Sequence, residues 1–184
     1  MNMTYIVTII AVVLIVVIMG VILAPIFASR KRAERLQNKF GPEYDHTVQE
    51  LGSKKKAQSE LEERQKYVET LNIRELTHDE RTGYLADWAV VQTKFVDEPG
   101  QAIVNADRLI MEVMQKRDYP VSDFEQRAAD VSVSYPTLVS HYRAARVIAL
   151  KNEQQQADTE ELRQAMIHYR ALFEELVGTE AVVA

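Results

Sequence analysis

The chain has no cysteine, which excludes disulfides and thiolate catalysis. Its six glycines are scattered, and none falls in a P-loop or dinucleotide-binding pattern. HExxH is absent as well. No run alternates apolar and polar residues for long enough to make a strand, so helix is the expected element throughout. The remaining absence is of charge, since the first 29 residues carry none.

That uncharged stretch is the longest apolar run in the chain. Tyr5 to Phe27 is almost wholly Ile, Val, Leu, Ala and Met, and Arg30, Lys31 and Arg32 close it. At about 1.5 Å per residue its roughly 23 residues would reach about 34 Å, against a bilayer core of about 30 Å. A buried core helix would lack any polar face. A cleaved signal needs a basic start and a run of about 7–15 apolar residues, and neither is present. Residues 1–29 are therefore expected to form a retained transmembrane helix. Lys and Arg gather only on its C-terminal side, which predicts the N-terminus outside and the larger part in the cytoplasm.

Charge is unevenly spread beyond it. From Arg30 to Lys66 there are 10 basic and 7 acidic residues, net +3; from Tyr67 to Ala184 there are 12 and 20, net −8. Arg30, Lys31, Arg32, Arg35 and Lys39 are candidate contacts for anionic lipid. Topology determination alone explains the same cluster equally well. The acidic distal part disfavours long nucleic acid as a partner.

Residues 30–76 read as a basic juxtamembrane segment and a helical stalk. The row Ala57, Leu61, Val68, Leu71 has coiled-coil spacing, though Arg64 interrupts it. The stalk is expected to pack against the distal domain or a second copy. Residues 77–178 read as a small helical bundle. Thr77-x-x-Glu80 is a capping box, followed by Tyr84, Trp88, Val91 and Phe95 on one face. Asp97-Glu98-Pro99 ends that helix and opens the next, with Ala102, Ala106, Leu109, Ile110 and Val113 inward. Ser122-x-x-Glu125 is a second box, opening a short helix with Phe124, Ala128 and Val131 inward. Ser134-Tyr135-Pro136 starts a helix carrying Leu138, Tyr142, Ala145 and Ala149. Asp158-x-x-Glu161 opens the last one, with Leu162, Ala165, Met166, Tyr169, Phe173 and Leu176 inward. Residues 179–184 are expected to be a frayed tail. The fold class is all-α: transmembrane helix, charged helical stalk and C-terminal bundle.

Several stretches carry a resemblance: Tyr44-Asp45 with Thr47-Val48, Ile73-Arg74, and Trp88-x-x-Val91-Gln92-x-x-Phe95-Val96-Asp97. To these add Arg117-x-Tyr119-Pro120, Asp130-x-Ser132-Val133 and the run from Thr159 to Phe173. Together, from about Phe40 to Leu176, the chain resembles a group of uncharacterised bacterial proteins with one N-terminal membrane segment and a helical C-terminal domain. The resemblance supports the architecture only and supplies no activity or site residue; the location expected from the anchor and its flanking charge is the bacterial inner (plasma) membrane. It departs at Asp118, where the group's pattern has glycine. If that turn needs a left-handed backbone, aspartate fits less easily.

Little chemistry is legible. Glu-x-x-His occurs at Glu43…His46 and Glu75…His78, both outside the expected core helices, and no metal or cofactor is expected. His141-Tyr142-Arg143-Ala144 recurs as His168-Tyr169-Arg170-Ala171. Each tyrosine falls on an apolar stripe with His and Arg beside it. His141, Arg143, His168 and Arg170 are candidates for a partner surface, although boundary hydrogen bonds around a core tyrosine explain them more simply. The expected function is a membrane-tethered scaffold or adaptor, without catalytic activity, that holds a protein partner or a second copy. The alternative is a sensor of anionic lipid or of a small ligand. An enzyme drawing an acid–base pair from His141 and His168 stands lowest.

Overall fold

The computed structural model describes residues 14, 19, 29–120 and 122–178, and among them every regular element is helical. Residues 29–40 (α1) are followed by α2 (Pro42–Leu51), α3 (Lys54–Thr70), α4 (His78–Asp97) and α5 (Pro99–Lys116). Then come α6 (Phe124–Ser134), α7 (Val139–Glu153) and α8 (Thr159–Val177).

The membrane architecture is corrected here. Among the described residues no helix is long and apolar enough to cross a membrane. The physical reason is charge. Of the described helices, α4, α5 and α8 are the ones with 18 or more residues, and they carry six, four and six charged side chains, which a bilayer core does not tolerate. Residues 5–27, on which the transmembrane expectation rested, lie outside the described residues except for Leu14 and Met19. The single-pass reading is replaced by an all-helical fold. The placement at an inner membrane, with the C-terminal part in the cytoplasm, goes with it. The tail 179–184 also lies outside the described residues.

The stalk is folded up instead of extended. Two glycines with positive φ break it, Gly41 at 49° and Gly52 at 63°, a region that costs glycine little. Ser53 then caps α3. The turns let Leu36, Phe40, Tyr44 and Leu61 meet in a small apolar cluster, closed by Val48 and by Val133 of α6. So α1–α3 form an arm that lies against the chain's own bundle, α3 beside α6 and α2 beside α7.

The bundle is two helical hairpins side by side, α4–α5 and α7–α8, joined through α5 and α8. Short connections make each pair neighbours. The expected inward faces of α5 and α8 are buried in full, together with Ile103, Met114, Leu172 and Val177. Trp88 stacks on Phe173, centroids 4.6 Å apart and planes 15° from parallel. Both tyrosines of the repeated tetrapeptide are fully buried.

The boxes at Thr77 and Asp158 form with both reciprocal bonds. The one expected at Ser122 does not: Asp123 is the cap and its carboxylate accepts from the Gln126 N–H at 3.0 Å. Asp118 has φ 64°, the left-handed backbone that the glycine comparison anticipated.

Candidate functional site

The structure separates the four residues of the repeated tetrapeptide. The two histidines come together: His141 Nδ1 lies 2.8 Å from His168 Nδ1, with ring centroids 5.0 Å apart and planes at 55°. One imidazole must donate its Nδ1–H to the bare Nδ1 of the other. Burial, with His141 beside it, lowers the pKa of His168. No carboxylate lies within ion-pair distance of either ring among the described residues. Neither histidine therefore has the orienting acid that an acid–base pair would use.

The register that brings them together is set one residue later in each repeat. Tyr142 and Tyr169 meet edge-on, centroids 6.4 Å apart, inside the core. Tyr142 accepts a hydrogen bond from Arg127 Nε at 3.2 Å, and Tyr169 donates to Asp107 at 3.0 Å. Burial raises both phenol pKa values, and Asp107 raises that of Tyr169 further.

The two arginines diverge. Arg170 points to solvent and pairs with Glu174 on its own helix. Arg143 turns the other way and grips Glu43 of α2 through two nitrogens. Arg64 of α3 reaches the same carboxylate at 2.9 Å and also holds Glu60. Glu43 is 2 % exposed, so a buried anion sits between one arginine of the arm and one of the bundle. Asp130 of α6 is buried nearby, with Arg64 acting on it electrostatically. One of its oxygens accepts from Gln126 at 2.8 Å and the other has no partner. Desolvation raises its pKa.

Glu43, Arg64 and Asp130 each stand out in the sequence for other reasons, and nothing there brings them together. Arg64 stood out only as a flaw in an apolar row, and that flaw is the signal: a charge on a buried stripe needs an opposite charge. As for Glu43…His46, the glutamate is taken by arginines and the histidine is exposed, 3.8 Å from Glu50. No group of three or more His, Cys, Asp or Glu side chains is placed to hold a metal among the described residues.

The five basic candidates do not act together. Arg32 and Arg35 of α1 both engage Glu62 of α3, at 2.6 and 2.7 Å, which ties α1 to α3. Arg30 and Lys31 remain exposed. Lys39 lies 5.8 Å from the centroid of the Phe40 ring.

A further surface lies on α4 and α8. Gln92, Phe95, Met166 and Ile167 line a groove of about 240 Å³, and Arg163 and Arg170 stand at its edges. Beyond it α4 exposes Leu85, Val90 and Val96, the last 82 % exposed. Trp88 and Val91 go into the core, while Val90 between them points out.

No family model, curated protein or solved structure matches the chain.

Proposed function

We propose that the chain is a helical scaffold or adaptor that holds a protein partner or a second copy of itself. One observation supports this most: the groove between α4 and α8, lined by Phe95, Met166 and Ile167, is uncovered among the described residues, and Val96 next to Phe95 is exposed. Fully covering an exposed valine or isoleucine contributes at most about 1.5–3 kcal/mol of apolar transfer, part of which offsets the cost of association. Patches of this kind, rimmed by polar side chains, are typical of protein–protein contacts. Arg163 and Arg170 form a polar rim of this sort, each in an ion pair on its own helix.

The test uses the full chain, by light scattering after gel filtration and by crosslinking in cells. The reading expects a dimer or a specific crosslinked neighbour, lost in a Val96→Glu, Ile167→Glu variant that keeps its helical content and melting temperature. A strict monomer without a crosslinked neighbour sinks it. So does a neighbour retained by the double variant.

A further inference from the structure

We infer that His141 and His168 form a binding site for a divalent late first-row transition-metal ion, copper(II) foremost, held through both Nδ1 atoms. The proposal stands apart from the scaffold reading and goes beyond it. Its first support is distance. Two metal–nitrogen bonds of about 2.0 Å at a right angle place their nitrogens about 2.8 Å apart, the spacing of neighbouring ligands on a tetragonal copper(II) ion. The two Nδ1 atoms are already at 2.8 Å. The metal would take the place of the shared proton, which moves through solvent to Nε2 of the donor ring so that both imidazoles stay neutral, and each ring tilts so that its Nδ1 lone pair leaves the N···N line.

The second support is that the rings are presented by rigid neighbours. The histidines lie on two different helices, and those helices pack along their length with Tyr142 and Tyr169 locked edge-on in the core. Two ligands held in advance bind better than two that must be ordered. The 55° between the ring planes keeps the imidazoles from colliding at adjacent positions.

The third support is the surroundings. Both rings are half-buried, leaving a solvent side where water completes the coordination. Neither Nε2 makes a hydrogen bond to a protein group among the described residues. No ion pair competes for either imidazole there. Copper(II) leads because affinities of nitrogen sites rise to a maximum at that ion.

The test uses the full chain in a His46→Asn, His78→Asn background, which leaves the proposed pair as its only histidines. Copper(II) chloride is titrated at pH 7, and binding is followed by paramagnetic resonance and by thermal unfolding. The proposal expects one equivalent bound with two imidazole nitrogens. It also expects Tm raised by about 5 °C or more when free copper exceeds Kd about 100-fold. Adding His168→Gln should cost about tenfold or more in affinity and remove the two-nitrogen signature, with circular dichroism unchanged without metal. The idea is overturned if the background protein shows no two-nitrogen species. It is equally overturned if His168→Gln binds copper as tightly with the same spectrum. Should His168→Gln unfold, diethyl pyrocarbonate decides on the background protein, where copper must protect both histidines and failure to protect them counts against the site.

Discussion

The bundle and the arm are held in place by different physics. In the bundle, α4, α5, α7 and α8 close around aliphatic and aromatic side chains that are almost wholly buried. The arm has only five buried apolar residues of its own beyond Ala57, namely Leu36, Phe40, Tyr44, Leu61 and Val68, and the buried carboxylate of Glu43 between Arg64 and Arg143 ties it to the bundle. Apolar packing is forgiving of detail and adds up over many contacts. A buried ion pair gains little over an apolar contact yet loses heavily when one partner is removed. The arm should therefore leave the bundle without unfolding it, whereas damage in the bundle should spread.

The largest effect is expected from Phe173→Ala, which removes a fully buried ring and the stacking partner of Trp88. It should cost about 4 kcal/mol, measured by urea unfolding, with a single transition for the bundle. Glu43→Gln comes next, taking the buried anion from Arg143 and leaving Arg64 with Glu60 alone, at a cost of about 3 kcal/mol. Hydrogen exchange should then show amides of α2 and α3 opening while those of α5 and α8 stay protected. Equal loss of protection in both regions would erase the distinction between them.

Asp118→Gly acts at the seam, in the turn that meets the linker before α4. Relief of a left-handed backbone should outweigh the extra freedom given to the unfolded chain, raising stability by up to about 1 kcal/mol. The smallest effect is expected from pH. The folded-state pKa of His168 lies below its ordinary value, so the unfolded chain takes up the proton first as pH falls. Stability should decline from about pH 6.5 down to the lowered folded value and be flat above it. His168→Gln should flatten that decline in urea midpoints taken between pH 8 and 5. An unchanged slope would show that the shift has no thermodynamic weight.

The bundle was legible because burial repeats at the helical period. Ala102, Ala106, Leu109, Ile110 and Val113 can be picked out by spacing alone, and the structure buries all five. Caps were legible where one candidate stood alone, as at Thr77 and Asp158. At α6 two adjacent residues competed, and spacing could not choose Asp123 over Ser122. The arm's docking left no periodic trace, because Glu43 and Arg143 are 100 positions apart. His141 and His168 were noticed for their shared neighbours, but only the packing of α7 on α8 shows that their rings meet. Hydropathy spoke of a membrane through residues 5–27, a stretch with only Leu14 and Met19 described. The helices that are described carry too much charge for that role.

Arg117 links parts of the chain that lie far apart in sequence. Its Nε donates to the Arg74 carbonyl at 3.0 Å, while one terminal nitrogen serves both Tyr135 and the Leu176 carbonyl. The Arg117 carbonyl in turn accepts from the Arg74 N–H at 3.1 Å. A single planar cation thus fastens three stretches that are far apart in sequence, the linker, the α6–α7 turn and the close of α8. Lysine has one nitrogen and no fork to offer them. Injuries to any two of those stretches should therefore compound less than their separate effects suggest, since the first would already have undone the knot they share.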